Sequence, residues 1–68
     1  MKKSILTRRE KEVFELLILN MTTREIAKNL NISEKTVRNH ISNVIQKLDV
    51  SSRSQAIIEL IKLKEIAL

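Results

Sequence analysis

Apolar residues recur along this chain at three- and four-residue spacing, and polar residues divide them into four runs. Val13, Leu16 and Leu17, flanked by Phe14, form the first. Ile26, Ala27 and Leu30 form the second, and Val37, Ile41, Val44, Ile45 and Leu48 the third. Each is the core-facing stripe of a surface helix, not the alternation of a strand. The fourth run carries two stripes. Ala56, Leu60, Leu63 and Ala67 make one; Ile57, Ile61 and Leu68 make another, about 100° around the helix, with Ile58 beyond it.

The polar residues between the runs mark helix starts. Thr7-x-x-Glu10, Thr22-x-x-Glu25 and Ser52-x-x-Gln55 fit the capping box, in which side chains at both ends satisfy free backbone N–H groups. Ser33 is a plain N-cap, and Glu34 after it suits the positive end of the helix dipole. Met21 with Ile26, and Ile32 with Val37, have the spacing of hydrophobic staples. These signals predict helices over 8–19, 23–30, 34–48 and 53–65, after a loose basic tail at 1–5 that carries Lys2 and Lys3. Asn20, Asn31 and Asp49 stand where helices end, and each tolerates the left-handed conformation a turn needs. Only Asn31, Ile32 and Ser33 separate the second helix from the third, which is the tight connection of a helix-turn-helix. The expected fold is all-α: four helices in one domain spanning 1–68.

Composition then narrows the chemistry. At 68 residues the core is thin, yet no cysteine is present to staple it or to ligate zinc. Glycine and proline are both absent, which removes glycine-rich phosphate loops and the usual hairpin turns. Phe14 is the only aromatic, so stacking platforms for single strands are excluded. His40 sits at the edge of the third stripe with no nucleophile paired to it; packing or a hydrogen bond suits it better than acid–base work. Thr7 and Thr22 are caps, not nucleophiles. No enzyme activity, metal or cofactor is expected. The longest apolar run, Leu16 to Leu19, is far short of the roughly 20 residues that span a bilayer, and Ile5-Leu6 is too short for a signal peptide. A cytoplasmic protein without a membrane partner is expected.

Charge points to the partner. Thirteen Lys and Arg against 8 Asp and Glu leave a net charge of +5, which favours an anionic surface. Opposite the apolar stripe of the third helix lie Lys35, Asn39, Ser42, Asn43 and Gln46, with Arg38 on the shoulder. An ordinary exposed helix mixes Glu with Lys, but here only Glu34 in the first turn is acidic. Arginine pairs with guanine and amides pair with adenine at base edges, so this face suits direct readout of duplex DNA. The N-terminus of the third helix, with Lys35 and Thr36, suits a phosphate; Ser52, Arg53 and Ser54 repeat the arrangement at the fourth. Lys47 flanks the third helix. The second apolar stripe of the last helix, Ile57, Ile61 and Leu68, suits a second copy of the chain across a two-fold axis.

Leu6-Thr7-Arg8-Arg9-Glu10 with Glu12-Val13, then Glu25-Ile26-Ala27, the run Ile32 to Asn43, Lys47-Leu48 and Arg53-Ser54-Gln55-Ala56 together resemble the LuxR-type helix-turn-helix domain. The resemblance covers nearly the whole chain. It implies base contacts from Arg38, Asn39 and Ser42, with Lys35 near bases or backbone. It implies phosphate contacts around Thr23, Lys35, Thr36, Lys47, Arg53 and Ser54, and a homodimer through helix 53–65. Relatives often carry glycine where Asn20 or Met21 and Asp49 stand, and some carry a basic residue at Ser42, so their target sequence does not transfer. Met1 directly precedes the domain, so no receiver or ligand-sensing domain is expected. The expected function is a sequence-specific regulator of transcription that binds double-stranded DNA as a homodimer, with helix 34–48 in the major groove. Two readings compete with it: an output domain excised from a larger response regulator, and a protein-docking module that contacts RNA polymerase.

Overall fold

The computed structural model describes residues 5–67. Among them are four helices and no strand: α1 (Arg8–Leu17), α2 (Thr23–Leu30), α3 (Glu34–Leu48) and α4 (Arg53–Lys62). Lys2 and Lys3 of the expected basic tail lie outside the described residues, as does Leu68. Ile5, assigned to that tail, is instead tied to the body, because its carbonyl accepts a hydrogen bond from Lys47 Nζ at 3.4 Å.

The helix starts follow the caps. At α1 the Glu10 N–H donates to Thr7 Oγ1 at 3.2 Å, and the Thr7 N–H donates to Glu10 Oε1 at 2.9 Å. Thr22 and Glu25 close the same reciprocal box on α2, at 3.1 and 2.9 Å. Ser33 Oγ accepts from the Thr36 N–H at 3.0 Å and opens α3. The box expected at Ser52 is only half made. Ser52 Oγ accepts from the Gln55 N–H, but Gln55 Oε1 reaches one residue further back and accepts from both the N–H and the hydroxyl of Ser51.

All four helices end by one device. Asn20, Asn31, Asp49 and Lys64 hold positive φ of 65°, 58°, 55° and 59°, without a glycine among them. Each turn is closed by an N–H that reaches back five residues. Met21 donates to Leu16, Ile32 to Ala27, Val50 to Ile45 and Glu65 to Leu60, over 2.9–3.4 Å. This is the Schellman closure, which satisfies carbonyls that the helix leaves free. Three of the four residues are those expected. Lys64 is not, and it corrects the last boundary: α4 stops at Lys62, not at residue 65. Likewise α1 stops at Leu17 rather than 19, because residues 18 and 19 form the turn that leads into Asn20.

The core lies around α3, which packs against each of the other three helices. Val13, Phe14, Ile26, Val37, Val44, Ala56 and Leu60 are fully buried. Phe14, expected beside the first stripe, stands in its centre, while Leu16 is half-buried. The stripe expected on the last helix breaks after Leu60. Leu63 is 46% exposed and Ala67 is exposed, because the turn at Lys64 redirects the chain and sends Ile66 into the core instead. Leu6 closes the core from the other end of the chain.

A left-handed residue without glycine carries a cost that a β-branched side chain makes larger. Asn31→Val is therefore expected to lower stability by about 1–2 kcal/mol, while Asn31→Gly stays near the parent. Urea midpoints of the two variants check this.

Candidate nucleic-acid interface

The third helix is anchored by a buried charge. Glu10 is the one buried charged residue among those described, 3% exposed. Its carboxylate accepts from the Thr7 N–H and from Lys47 Nζ, which comes from the last turn of α3. Lys47 Nζ also donates to the Ile5 carbonyl. Three segments thus meet at one carboxylate: the approach to α1, the first turn of α1 and the last turn of α3. Desolvation acts to raise the Glu10 pKa, but the hydrogen bonds from Lys47 and Thr7 and the Lys47 charge outweigh it. The net position is below the ordinary 4.5. No sequence signal separated this role of Glu10 from its role in the capping box.

With its stripe Val37, Ile41 and Val44 buried, α3 turns the opposite side outward. Lys35, Arg38, Asn39, Ser42, Asn43 and Gln46 are all exposed there. At 1.5 Å rise per residue the row from Lys35 to Gln46 is about 16 Å long, and a helix fits the roughly 12 Å width of the major groove. Arg38 is not idle in the free protein. Its Nη2 donates to Glu34 Oε1 at 3.3 Å, one turn back along the same helix. The four-residue spacing of that pair was visible in the sequence. Lys35 makes no ion pair with any described residue.

The residues expected near phosphates fall into two groups. Lys35, Arg53 and Ser54 are exposed at the starts of α3 and α4. Thr23 and Thr36 are half-buried, and Thr36 Oγ1 lies 2.9 Å from Ser33 Oγ, within the cap. Lys47 is exposed, yet its ammonium is engaged by Glu10 and Ile5. Of the residues expected at the dimer contact, Ile57 and Ile61 are half-buried and touch the core, and Leu68 is outside the described residues. Ile58, at 55% exposure, is the most exposed apolar residue of α4. His40 is half-buried, as its edge position suggested.

Among the described residues no group of three or more His, Cys, Asp and Glu could hold a metal ion. No helix among the described residues is long and apolar enough to cross a membrane.

The family model described as bacterial regulatory proteins, luxR family, matches residues 4–60. The chain belongs to the luxR family. Among its relatives, the spore germination protein GerE of Bacillus subtilis (strain 168) is 62% identical over 66 residues, covering 97% of this chain and 89% of GerE. The transcriptional regulatory protein DegU of Brevibacillus brevis is 53% identical over 58 residues, but the match covers 25% of DegU against 85% of this chain. The chain therefore spans most of one luxR-family relative and about a quarter of another. A solved structure titled as that of the transcription factor GerE superposes with a TM-score of 0.94 at 60% identity, over 96% of this chain and 97% of that one. The four-helix arrangement read from the caps and stripes is the arrangement this chain adopts.

Because the Glu10 pKa is depressed in the folded state, its contribution to stability is present above the unfolded value near 4.5. It is lost as pH falls through the lower folded value. Glu10→Gln is expected to cost about 1–3 kcal/mol at pH 7, where a hydrogen-bonded charge is removed. It should cost less at pH 3. Urea denaturation at the two pH values checks the convergence.

Proposed function

We propose that this chain is one DNA-binding domain that works as a homodimer, each α3 lying in a major groove of a two-fold-related site. As a luxR-family member similar to transcription regulators, it is a sequence-specific DNA-binding regulator of transcription. The observation that carries the finer reading is the exposed face of α3, whose donors and amides lie opposite a fully packed stripe. Arg38, Asn39 and Ser42 read base edges, with Lys35 beside them. Lys35, Thr36, Arg53 and Ser54 sit at two helix N-termini, whose free N–H groups and dipoles favour phosphate. Thr23 at the start of α2 and Lys47 at the end of α3 complete the backbone contacts. Lys47 contributes with the donor that Glu10 and Ile5 leave over, since an ammonium has three.

The dimer contact is the outer side of α4, where Ile57, Ile58 and Ile61 leave apolar surface. Leu68, expected on the same stripe from helical spacing, follows the turn that ends α4 and lies outside the described residues. Half-sites are centred about one helical turn apart, roughly 10 bp, or a multiple of that. The regulated genes belong to the spore life cycle, a reading supported by the similarity to a spore germination protein. The work is done in the cytoplasm, without enzymatic activity, and RNA polymerase is the protein partner a promoter-bound regulator reaches.

Selection from a random duplex library at about 150 mM salt tests the reading, since salt sets how much binding is non-specific. A two-fold-related motif is expected; absence of enrichment would contradict it. On the enriched duplex Arg38→Ala is expected to cost about 1–3 kcal/mol and relax the preference at one position. Ile58→Lys is expected to leave helix content intact and disperse the dimer in sedimentation. A dimer that survives it would move the interface off α4.

A further inference from the structure

The Arg38–Glu34 pair adds little to stability. Ser33 already caps α3, accepting from the Thr36 N–H, and Glu34 adds only its charge at the positive end of the helix dipole. The pair itself is exposed, with 59% of the Arg38 side chain and 43% of the Glu34 side chain in solvent, and such pairs contribute little to folding. For DNA binding the carboxylate is unfavourable on its face. It puts a negative charge in the first turn of α3, where phosphates are to be held, and it is the only acid on that helix.

That cost falls on every duplex alike, whereas the contact with Arg38 does not act alike on all of them. A free arginine on a flexible stem serves a phosphate as readily as a guanine. An arginine whose Nη2 is already engaged along the helix by Glu34 gives up less freedom when it meets a base. We infer that Glu34 is a specificity-determining residue acting through Arg38, holding the guanidinium for base edges and away from phosphates. This rests on α3 being the reading helix. Glu34 lowers binding to duplexes that offer Arg38 no matching base, and on the matching site the orientation it gives Arg38 offsets its charge.

The experiment compares wild type, Glu34→Gln, Arg38→Ala and the double variant in the 68-residue chain. Each is titrated with the library-enriched duplex and with a shuffled duplex of equal length and composition, at about 150 mM salt. Circular dichroism verifies equal helix content. Removing one negative charge is worth about one counterion, or about fivefold at this salt. Glu34→Gln is expected to tighten the shuffled duplex by about fivefold and the enriched duplex by less than about twofold, so the specificity ratio falls. In the Arg38→Ala background the same substitution should move both duplexes by one factor. The inference is overturned if Glu34→Gln leaves the ratio unchanged, or if the ratio shifts equally with and without Arg38, which would mean that Glu34 touches the DNA by itself. If Arg38→Ala reduces the ratio while Glu34→Gln does not, α3 still reads the site and only the role of Glu34 falls. If wild type does not distinguish the two duplexes, both fall.

Discussion

The Glu10 carboxylate joins the parts of this molecule that a thin core leaves weakly connected. Burying an ionised carboxyl is costly unless it is paired and hydrogen-bonded, and here it is both. The Thr7 N–H and the Lys47 ammonium share its oxygen, and the same ammonium reaches the Ile5 carbonyl. The first turn of α1 is thereby fixed to the last turn of α3. Fixing α3 at that end while Val37, Ile41 and Val44 hold its stripe determines which side of the helix faces solvent. The face proposed to read DNA is the remainder once those constraints are met.

The absence of glycine is the second constraint. Each helix must end in a left-handed residue that bears a side chain, and the chain uses Asn, Asn, Asp and Lys. Short polar side chains settle into that region through local hydrogen bonds, so the first three turns were legible. A lysine has no such compensation and carried no signal. For that reason the sequence reading ran the last helix three residues too far, set Leu63 and Ala67 on the core stripe and did not name Ile66, which is buried. The caps were more informative: Thr7, Thr22, Ser33 and Ser52 all open helices where they were expected to.

The candidate site was legible to the extent that it depends on helical spacing. The outward row from Lys35 to Gln46 follows once Val37, Ile41 and Val44 point inward, and the structure places them so. What spacing could not supply was the long-range pairing of Glu10 with Lys47, 37 residues apart in sequence. It set Ile57 and Ile61 on a second stripe suited to a partner; both are half-buried against this chain's own core, and Ile58 is the more exposed. The physical reason is the size of the domain. A chain this small covers every apolar side chain it can, so one face of α4 serves the core and leaves the rest of its apolar surface outward.

In the proposed complex the exposed side of α3 meets DNA while its other side remains packed. The most direct test follows backbone amide chemical shifts of nitrogen-15-labelled protein as duplex DNA is added. The largest changes are expected from Lys35 to Gln46 and at Arg53 and Ser54, with Val13 and Phe14 little moved. Changes centred on the outer side of α1, at Lys11 and Glu15, with α3 unperturbed, would contradict it.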